Sequence, residues 1–463
     1  MSVDRTGTIE LRLPVHLPPQ PSQPPPEPED RRPGVRPGPG REGRAVRRMS
    51  RDRAFWLVGA ILILFLLSSS APSPMYVLYQ QRWHFSATVL TVVFGIYAVA
   101  VLVALLLFGS LSDTLGRRRV LLVALVGEVA SMALFIGARD VLWLLAARAV
   151  QGVAVGLATG ATGAALIELA PPAAPSRGTL LNSAGPVGGI AVGALLAGLL
   201  VQFAPAPTVL TYALLLAAFA LACFGVLVMP ETAPGRTGGL RIRPSRISVP
   251  APARRAFALL SLPLVAVWSV GGLYLSLGPS LAVQLLRTDN LLVGGLTIAL
   301  FAGVATAGQL ALGRFPPLRT AAIGVIATLA GLGLLHAALA SGGAALFFIG
   351  TAALGLGWGT AFLGAFRALA ALADPARRSE LLAAVYVVVY LSMTVPAVAA
   401  GTLAGSWGLH RTALAFITVT AAVCLAALAG LARVQAQACA ARRRHARHAR
   451  PRPTGPKHAR RRH

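Results

Sequence analysis

Apolar stretches of about 20 residues, the length a helix needs to cross a ~30 Å hydrocarbon layer, follow one another between residues 54 and 433. They are not interleaved with polar faces, as the elements of a water-soluble core would be. The pattern predicts helices over roughly 54–77, 88–110, 119–138, 141–166, 179–202, 208–229, 258–284, 291–312, 320–340, 343–371, 380–404 and 411–432. The longest interruption, residues 231–257, carries Arg236, Arg241, Arg243, Arg246, Arg254 and Arg255 and divides the spans into two sets of six, 54–230 and 258–433. Gly152 and Gly156 recur as Gly355 and Gly359, at the same spacing and an offset of 203 residues. The expected fold is an all-α membrane protein with twelve transmembrane helices in two pseudo-symmetric six-helix bundles.

Composition agrees: of 463 residues 56% are hydrophobic and 12% charged, with a mean hydropathy of +0.69, more apolar surface than one soluble core can bury. The net charge of +27 points to nucleic acid only if it clusters on a folded domain. It lies instead in the tails and in alternate loops. Arg117, Arg118, Arg119, Arg177, the six linker arginines, Arg314, Arg319, Arg377 and Arg378 fall on one side, and only Arg82, Arg139, Arg287 and Arg411 on the other. That asymmetry places both termini in the cytoplasm and the chain in the cell inner membrane. Nucleic acid is not an expected partner. The tails, 1–53 with Pro24-Pro25-Pro26 and 434–463 with Arg442-Arg443-Arg444, are expected to be disordered and cytoplasmic.

Cys223 and Cys424 fall within spans and Cys439 in the basic tail, a distribution that forms neither a disulfide framework nor a metal site. There is no phosphate-binding Gly-x-x-x-x-Gly-Lys-(Ser/Thr) run and no His-Glu-x-x-His. ATP hydrolysis and membrane-embedded hydrolysis are therefore not expected, and no cofactor is implied.

The turn after the second span reads Gly109-Ser-Leu-Ser-Asp113-Thr-Leu-Gly116-Arg117-Arg118. Two glycines permit a tight turn, a carboxylate at the membrane edge can meet a guanidinium or a helix N-terminus, and the arginines hold the turn at the cytoplasmic face. These residues resemble the loop motif of the major facilitator superfamily, Gly-x-x-x-Asp-(Arg/Lys)-x-Gly-(Arg/Lys)-(Arg/Lys), with Thr114 where the family usually has a base. The resemblance covers roughly residues 54–433. It implies two bundles around a central cavity, transport by alternating access and a conformational latch at Gly109, Asp113, Gly116, Arg117 and Arg118. The corresponding turn of the second half, Gly313 to Arg319, lacks the acidic residue.

In the fourth span Arg148 is followed by Gln151, Gly152 and Gly156. This is similar to the family's helix-4 motif, in which the arginine is associated with proton coupling; a glycine packing seam explains the same spacing. Glu128 lies about 12 Å inside the third span, a depth at which a carboxyl must be protonated, paired or wet. Arg148 reaches a similar depth in the next, antiparallel span, so the two are candidates for an intramembrane pair with either a coupling or a purely structural role. Gly185, Pro186, Gly188 and Gly189 resemble the helix-5 antiporter motif. Met229-Pro230-Glu231-Thr232 is a family-like close to the sixth span with no evident chemistry.

Arg367, Tyr274, Trp358 and Tyr390 are candidate cavity residues, although Arg367 can also snorkel to the cytoplasmic face and aromatics often serve packing. Together these features point to a non-enzymatic, monomeric secondary transporter in the lipid bilayer. It would exchange a small-molecule substrate, drug-like or amphipathic, for protons in efflux. The alternative is a metabolite or sugar importer working as a symporter or uniporter.

Overall fold

The computed structural model describes residues 2–3, 9–10, 49–232, 244, 246–374 and 377–448, with side chains for those between 49 and 440. Twelve helices among them are long and apolar enough to cross a membrane. In the first half these are α1 (Arg51–Trp83), α2 (Ala87–Phe108), α3 (Arg117–Ile136), α4 (Val141–Leu169), α5 (Ser176–Phe203) and α6 (Pro207–Val228). In the second they are α7 (Ala251–Ser276), α8 (Leu292–Leu312), α9 (Pro317–Ser341), α10 (Ala344–Ala370), α11 (Arg378–Trp407) and α12, which begins at Leu409. Leu142, Ile167, Leu221 and Phe224 stand exposed on the outside, as they should where hydrocarbon is the solvent.

Helix starts follow local chemistry. Ser86 accepts from the Val89 N–H at 3.3 Å, and Asp140 accepts from those of Leu142 and Trp143 at 2.9 and 3.2 Å, satisfying donors that a helix leaves open at its first turn. α1 is interrupted after Ser70, and the chain resumes as Pro72–Trp83. The cause is in the sequence: Pro72 and Pro74 have no N–H to offer the carbonyls four residues back, those of Ser68 and Ser70. α7 is likewise followed by a short helix, Gly278–Leu286.

The two halves repeat one another in detail. His84 and Arg287, 203 positions apart, both take left-handed backbone at φ 52° and 47° to close these segments. A Cβ on Gly152 would come within 2.5 Å of the Tyr97 carbonyl oxygen of α2, and one on Gly355 within 2.2 Å of the Phe301 carbonyl oxygen of α8. The same glycine therefore lets the fourth helix of each half lie on the second.

α5 packs on α8 and α2 on α11, joining the halves. Several contacts close the face opposite the chain ends. Thr88 donates to the Gly401 carbonyl at 3.2 Å, the Leu291 N–H donates to Gln202 Oε1 at 2.8 Å, and Ser280 donates to Gln80 Oε1 at 3.4 Å.

Three boundaries differ from the sequence expectation. α7 begins at Ala251, inside the segment read as linker, and α1 begins at Arg51, inside the segment read as tail. The last helix does not end near residue 433 but runs from Leu409 to His448. Its Ala, Gln and Arg residues are good helix formers, and no glycine or proline intervenes before Pro451. In the N-terminal segment Ser2–Val3 pairs antiparallel with Ile9–Glu10, Ser2 opposite Glu10 and Val3 opposite Ile9. The remaining expectations for the two tails and for linker residues 233–243 and 245 fall outside the described residues.

Candidate functional site

The break in α1 is where the first half gathers its polar groups. The Ser68 carbonyl, deprived of a donor by Pro72, accepts from Gln151 Nε2 at 3.2 Å. Arg148 Nη1 donates to the Ser69 carbonyl at 2.9 Å and to Gln151 Oε1 at 2.7 Å, and its Nε donates to the Tyr76 hydroxyl at 2.7 Å. Tyr97 donates to Ser69 Oγ at 2.9 Å, and its ring centroid lies 5.1 Å from the guanidinium carbon. Arg148 is thus a clamp across both segments of α1, wholly removed from solvent at 0% exposure. Such a cation is tolerated when most of its donors are engaged and aromatic faces surround it.

Glu128 is also at 0% exposure, and its carboxyl adjoins Gln151, Ser68 and Arg148. The direct pair expected from the matching depths is not formed. Arg148 is spent on α1 and Gln151, while both Glu128 oxygens and Arg148 Nη2 have no hydrogen-bond partner. Depth matched, but the guanidinium is directed at the Ser69 carbonyl, the Tyr76 hydroxyl and Gln151 at the break in α1.

A second polar cluster lies at the face carrying the chain ends. Gly116 links the short helix Leu111–Leu115 to α3 at φ 94° and ψ 150°, a conformation that favours glycine. Gly109 ends α2, its N–H reaching the Leu105 carbonyl at 3.1 Å. Arg117 donates to Asp113, to Ser112 Oγ at 2.6 Å and to Glu168 Oε1 at 3.0 Å. Glu231 accepts from the Arg117 and Arg118 N–H groups at 2.8 and 3.2 Å, Thr232 donates to Glu168 Oε2 at 2.7 Å, and the Arg118 side chain donates to the Leu227 carbonyl.

The closing segment of the sixth span therefore has a chemistry that was not read from the sequence: Glu231 caps α3, a helix that Gly116 cannot cap. Substituting Glu231 with alanine should cost about 1 kcal/mol of stability. Hydrogen–deuterium exchange should rise first in the opening turn of α3, and unchanged exchange there would contradict the cap.

In the second half, the position equivalent to Arg148 is Thr351, which bonds the Tyr274 hydroxyl at 3.1 Å. From Tyr274 a line of rings extends through Phe301 (4.7 Å between centroids), Trp358 (4.9 Å), Trp268 (5.4 Å), Phe362 (5.4 Å), Phe366 (5.5 Å) and Tyr386 (6.4 Å). Tyr274, Phe301 and Trp358 are buried, whereas Trp268, Phe362, Phe366, Tyr386 and Tyr390 keep part of their surface accessible. Tyr390 is an electrostatic neighbour of both Tyr386 and Tyr97.

Arg367 does not join this wall. It donates to the Gly313 and Phe315 carbonyls at 2.6 and 3.3 Å, neutralising the C-terminal end of α8 in the turn that lacks a carboxylate.

α5 presents two faces. Gly185 and Gly189 lie against Ile63, and Gly193 against Leu67, all on α1; Gly188 faces Thr306 of α8 in the other half. Pro186 lies inside the helix between these contacts.

Two six-helix bundles related by an internal repeat, meeting through α2–α11 and α5–α8, define a membrane transporter rather than an enzyme. The family model of the Major Facilitator Superfamily matches residues 58–350, and the chain belongs to that family. No curated protein matches it in sequence.

Among solved structures it is similar to a bacterial homologue of the human lysosomal transporter Spinster, inward-facing and unoccupied. The TM-score is 0.64 at 12% identity, over 85% of this chain and 99% of that one. It is also similar to the human organic anion transporter MFSD10 (0.60, 17%, 83% and 100%) and to a variant of the nucleoside transporter NupG (0.64, 11%, 82% and 100%). At these identities the likeness is one of fold. Family and fold together make the chain a multi-pass membrane transporter of a small molecule.

Proposed function

We propose that this transporter exports flat, amphipathic aromatic compounds in exchange for protons, from the inner membrane of the cell and with both termini in the cytoplasm. The observation that carries this reading is a buried, unpartnered carboxyl, Glu128, beside the arginine that clamps the break in α1. A carboxyl at that depth is tolerated when paired, wet or protonated. Glu128 is sealed from solvent and forms no ion pair with Arg148, and we take it as protonated in this conformation.

Loss of the proton would place a carboxylate next to Arg148 and draw the guanidinium off Ser69 and Tyr76. The released segment Pro72–Trp83 carries Gln80, which contacts Ser280 across the closed face, so unclamping favours opening there. A proton taken up from that side restores the clamp, and its release at the opposite face accompanies substrate entry. The contact of α5 with α8, where Gly188 faces Thr306, is a seam on which the two halves can rock.

The substrate class follows from the ring line, which offers stacking faces and no charged group of its own. In inside-out vesicles energised with a proton gradient, ethidium should accumulate. Replacing Trp268 with alanine should raise its apparent KM about tenfold, the equivalent of roughly 1.4 kcal/mol for lost stacking. An unchanged KM would remove the wall from the substrate path.

A further inference from the structure

The guanidinium of Arg148 sits in a cage of rings drawn from three helices. Its carbon lies over the rings of Tyr97 on α2, Tyr76 on α1 and Phe135 on α3, at 5.1, 5.5 and 6.0 Å from their centroids. Ring faces carry negative potential, and several converging on one point make a site for an organic cation. Here the cation is the chain's own side chain. Tyr76 and Phe135 are each 1% exposed, whereas Tyr97 keeps 8%, and Tyr390 of the other half is an electrostatic neighbour of Tyr97. Tyr97 is therefore the cage wall toward the other half.

The occupant of the cage has a second partner within reach. Arg148 Nη2 and both oxygens of Glu128 are buried with no hydrogen-bond partner, and the two groups are electrostatic neighbours. Facing the Glu128 carboxyl are Arg148 and Gln151 of α4, Ser68 of α1 and Tyr97 of α2, and Arg148 is the cation among them.

We infer that the cage also binds the cationic head of the transported solute, which takes the place of the Arg148 guanidinium when Glu128 loses its proton. The inference rests on the proton exchange proposed above and narrows its substrate to aromatic compounds carrying a planar, amidinium-like monocation. With Glu128 protonated and Arg148 in the cage, the buried site carries one positive charge. When the O–H bond of Glu128 breaks and the proton passes to water, the carboxylate pairs with Arg148, and a monovalent cation in the cage restores that same charge. A buried site that keeps its charge avoids the desolvation cost of an added or unpaired one. One cation therefore exchanges for one proton, and a neutral molecule of the same shape cannot complete the exchange.

Calorimetric titration of the full chain in detergent at acid pH tests this without any transport step. The probes are biphenylcarboxamidine, a planar monocation, and biphenylcarboxamide, its neutral isostere. The amidine should bind about tenfold more tightly than the amide. Titration in buffers of different ionisation enthalpy should count about one proton released per amidine bound, and none in Glu128→Gln. Tyr97→Leu should bring the two affinities to within about twofold of each other, whereas Tyr97→Phe keeps the ring and should keep the preference. A loss of packing alone would weaken both probes alike. No amidine binding, equal binding of the two probes, amidine binding without proton release, or an unchanged preference in Tyr97→Leu would overturn the cage, even in a protein that exports ethidium. Amidine binding with proton release in a protein that builds no ethidium gradient would contradict the exporter reading and leave the cage standing.

Discussion

Replacing Glu128 with glutamine should abolish proton-driven accumulation while leaving downhill exchange of substrate in place. Each pH unit is worth about 1.4 kcal/mol per proton. With one proton exchanged per solute and the membrane potential clamped, a one-unit gradient should sustain about a tenfold substrate ratio in the wild type. In Glu128→Gln that ratio should fall to about one. The amide is the size of the protonated carboxyl and fills the same space beside Gln151 and Ser68, so expression and thermal stability should change little. It cannot, however, become the anion that draws Arg148 from Ser69 and Tyr76. A wild-type ratio from a Glu128→Gln protein would assign the proton to another group and leave Arg148 as packing.

A larger structural effect is expected at Gly193. A Cβ there would lie 2.2 Å from the Leu67 carbonyl oxygen and 2.5 Å from Ser70 Oγ. Ser70 in turn donates to the Ile190 carbonyl at 3.0 Å, so α1 and α5 are locked together at the break in α1 and neither backbone has room to retreat. Gly193→Val should cost about 3 kcal/mol or more and sharply reduce the yield of folded protein. Gly333, where nothing lies within 4 Å of an added Cβ, supplies the comparison: Gly333→Ala should be neutral or stabilising, since alanine is the better helix former. Wild-type folding of Gly193→Val would show that the seam is looser than described.

The spans were legible because lipid imposes a length and an apolarity that any sequence must display. The contrast lies in side-chain direction. Depth along α3 and α4 brought Glu128 and Arg148 to one level, but nothing local to either helix says that Pro72 frees the Ser68 carbonyl for Gln151, or that Arg148 turns to the Ser69 carbonyl beside it. Arg367 had two readings for the same reason: its position on α10 permitted either the cavity or the cytoplasmic face, and its side chain donates to carbonyls of the α8–α9 turn.

Glu231 could not be assigned chemistry from sequence, because the N–H groups it receives are 113 and 114 residues away. Phe362 and Phe366 were within reach. They follow Trp358 at intervals of four, one stripe of a helix, and that spacing marks the wall before any coordinates are known.

Movement of the two halves in response to protonation is most directly followed by spin-label distances at both ends of the protein. One pair at Gln81 and Gln284 reports the face opposite the chain ends, and another at Arg177 and Arg314 reports the face that carries them; all four side chains are exposed. At acid pH the first pair should stay close and the second stay apart. At alkaline pH the first should separate and the second approach, and in Glu128→Gln neither distance should depend on pH. Distances that do not respond to pH at either end, or that change in the same sense at both, would contradict alternating access coupled to a proton on Glu128.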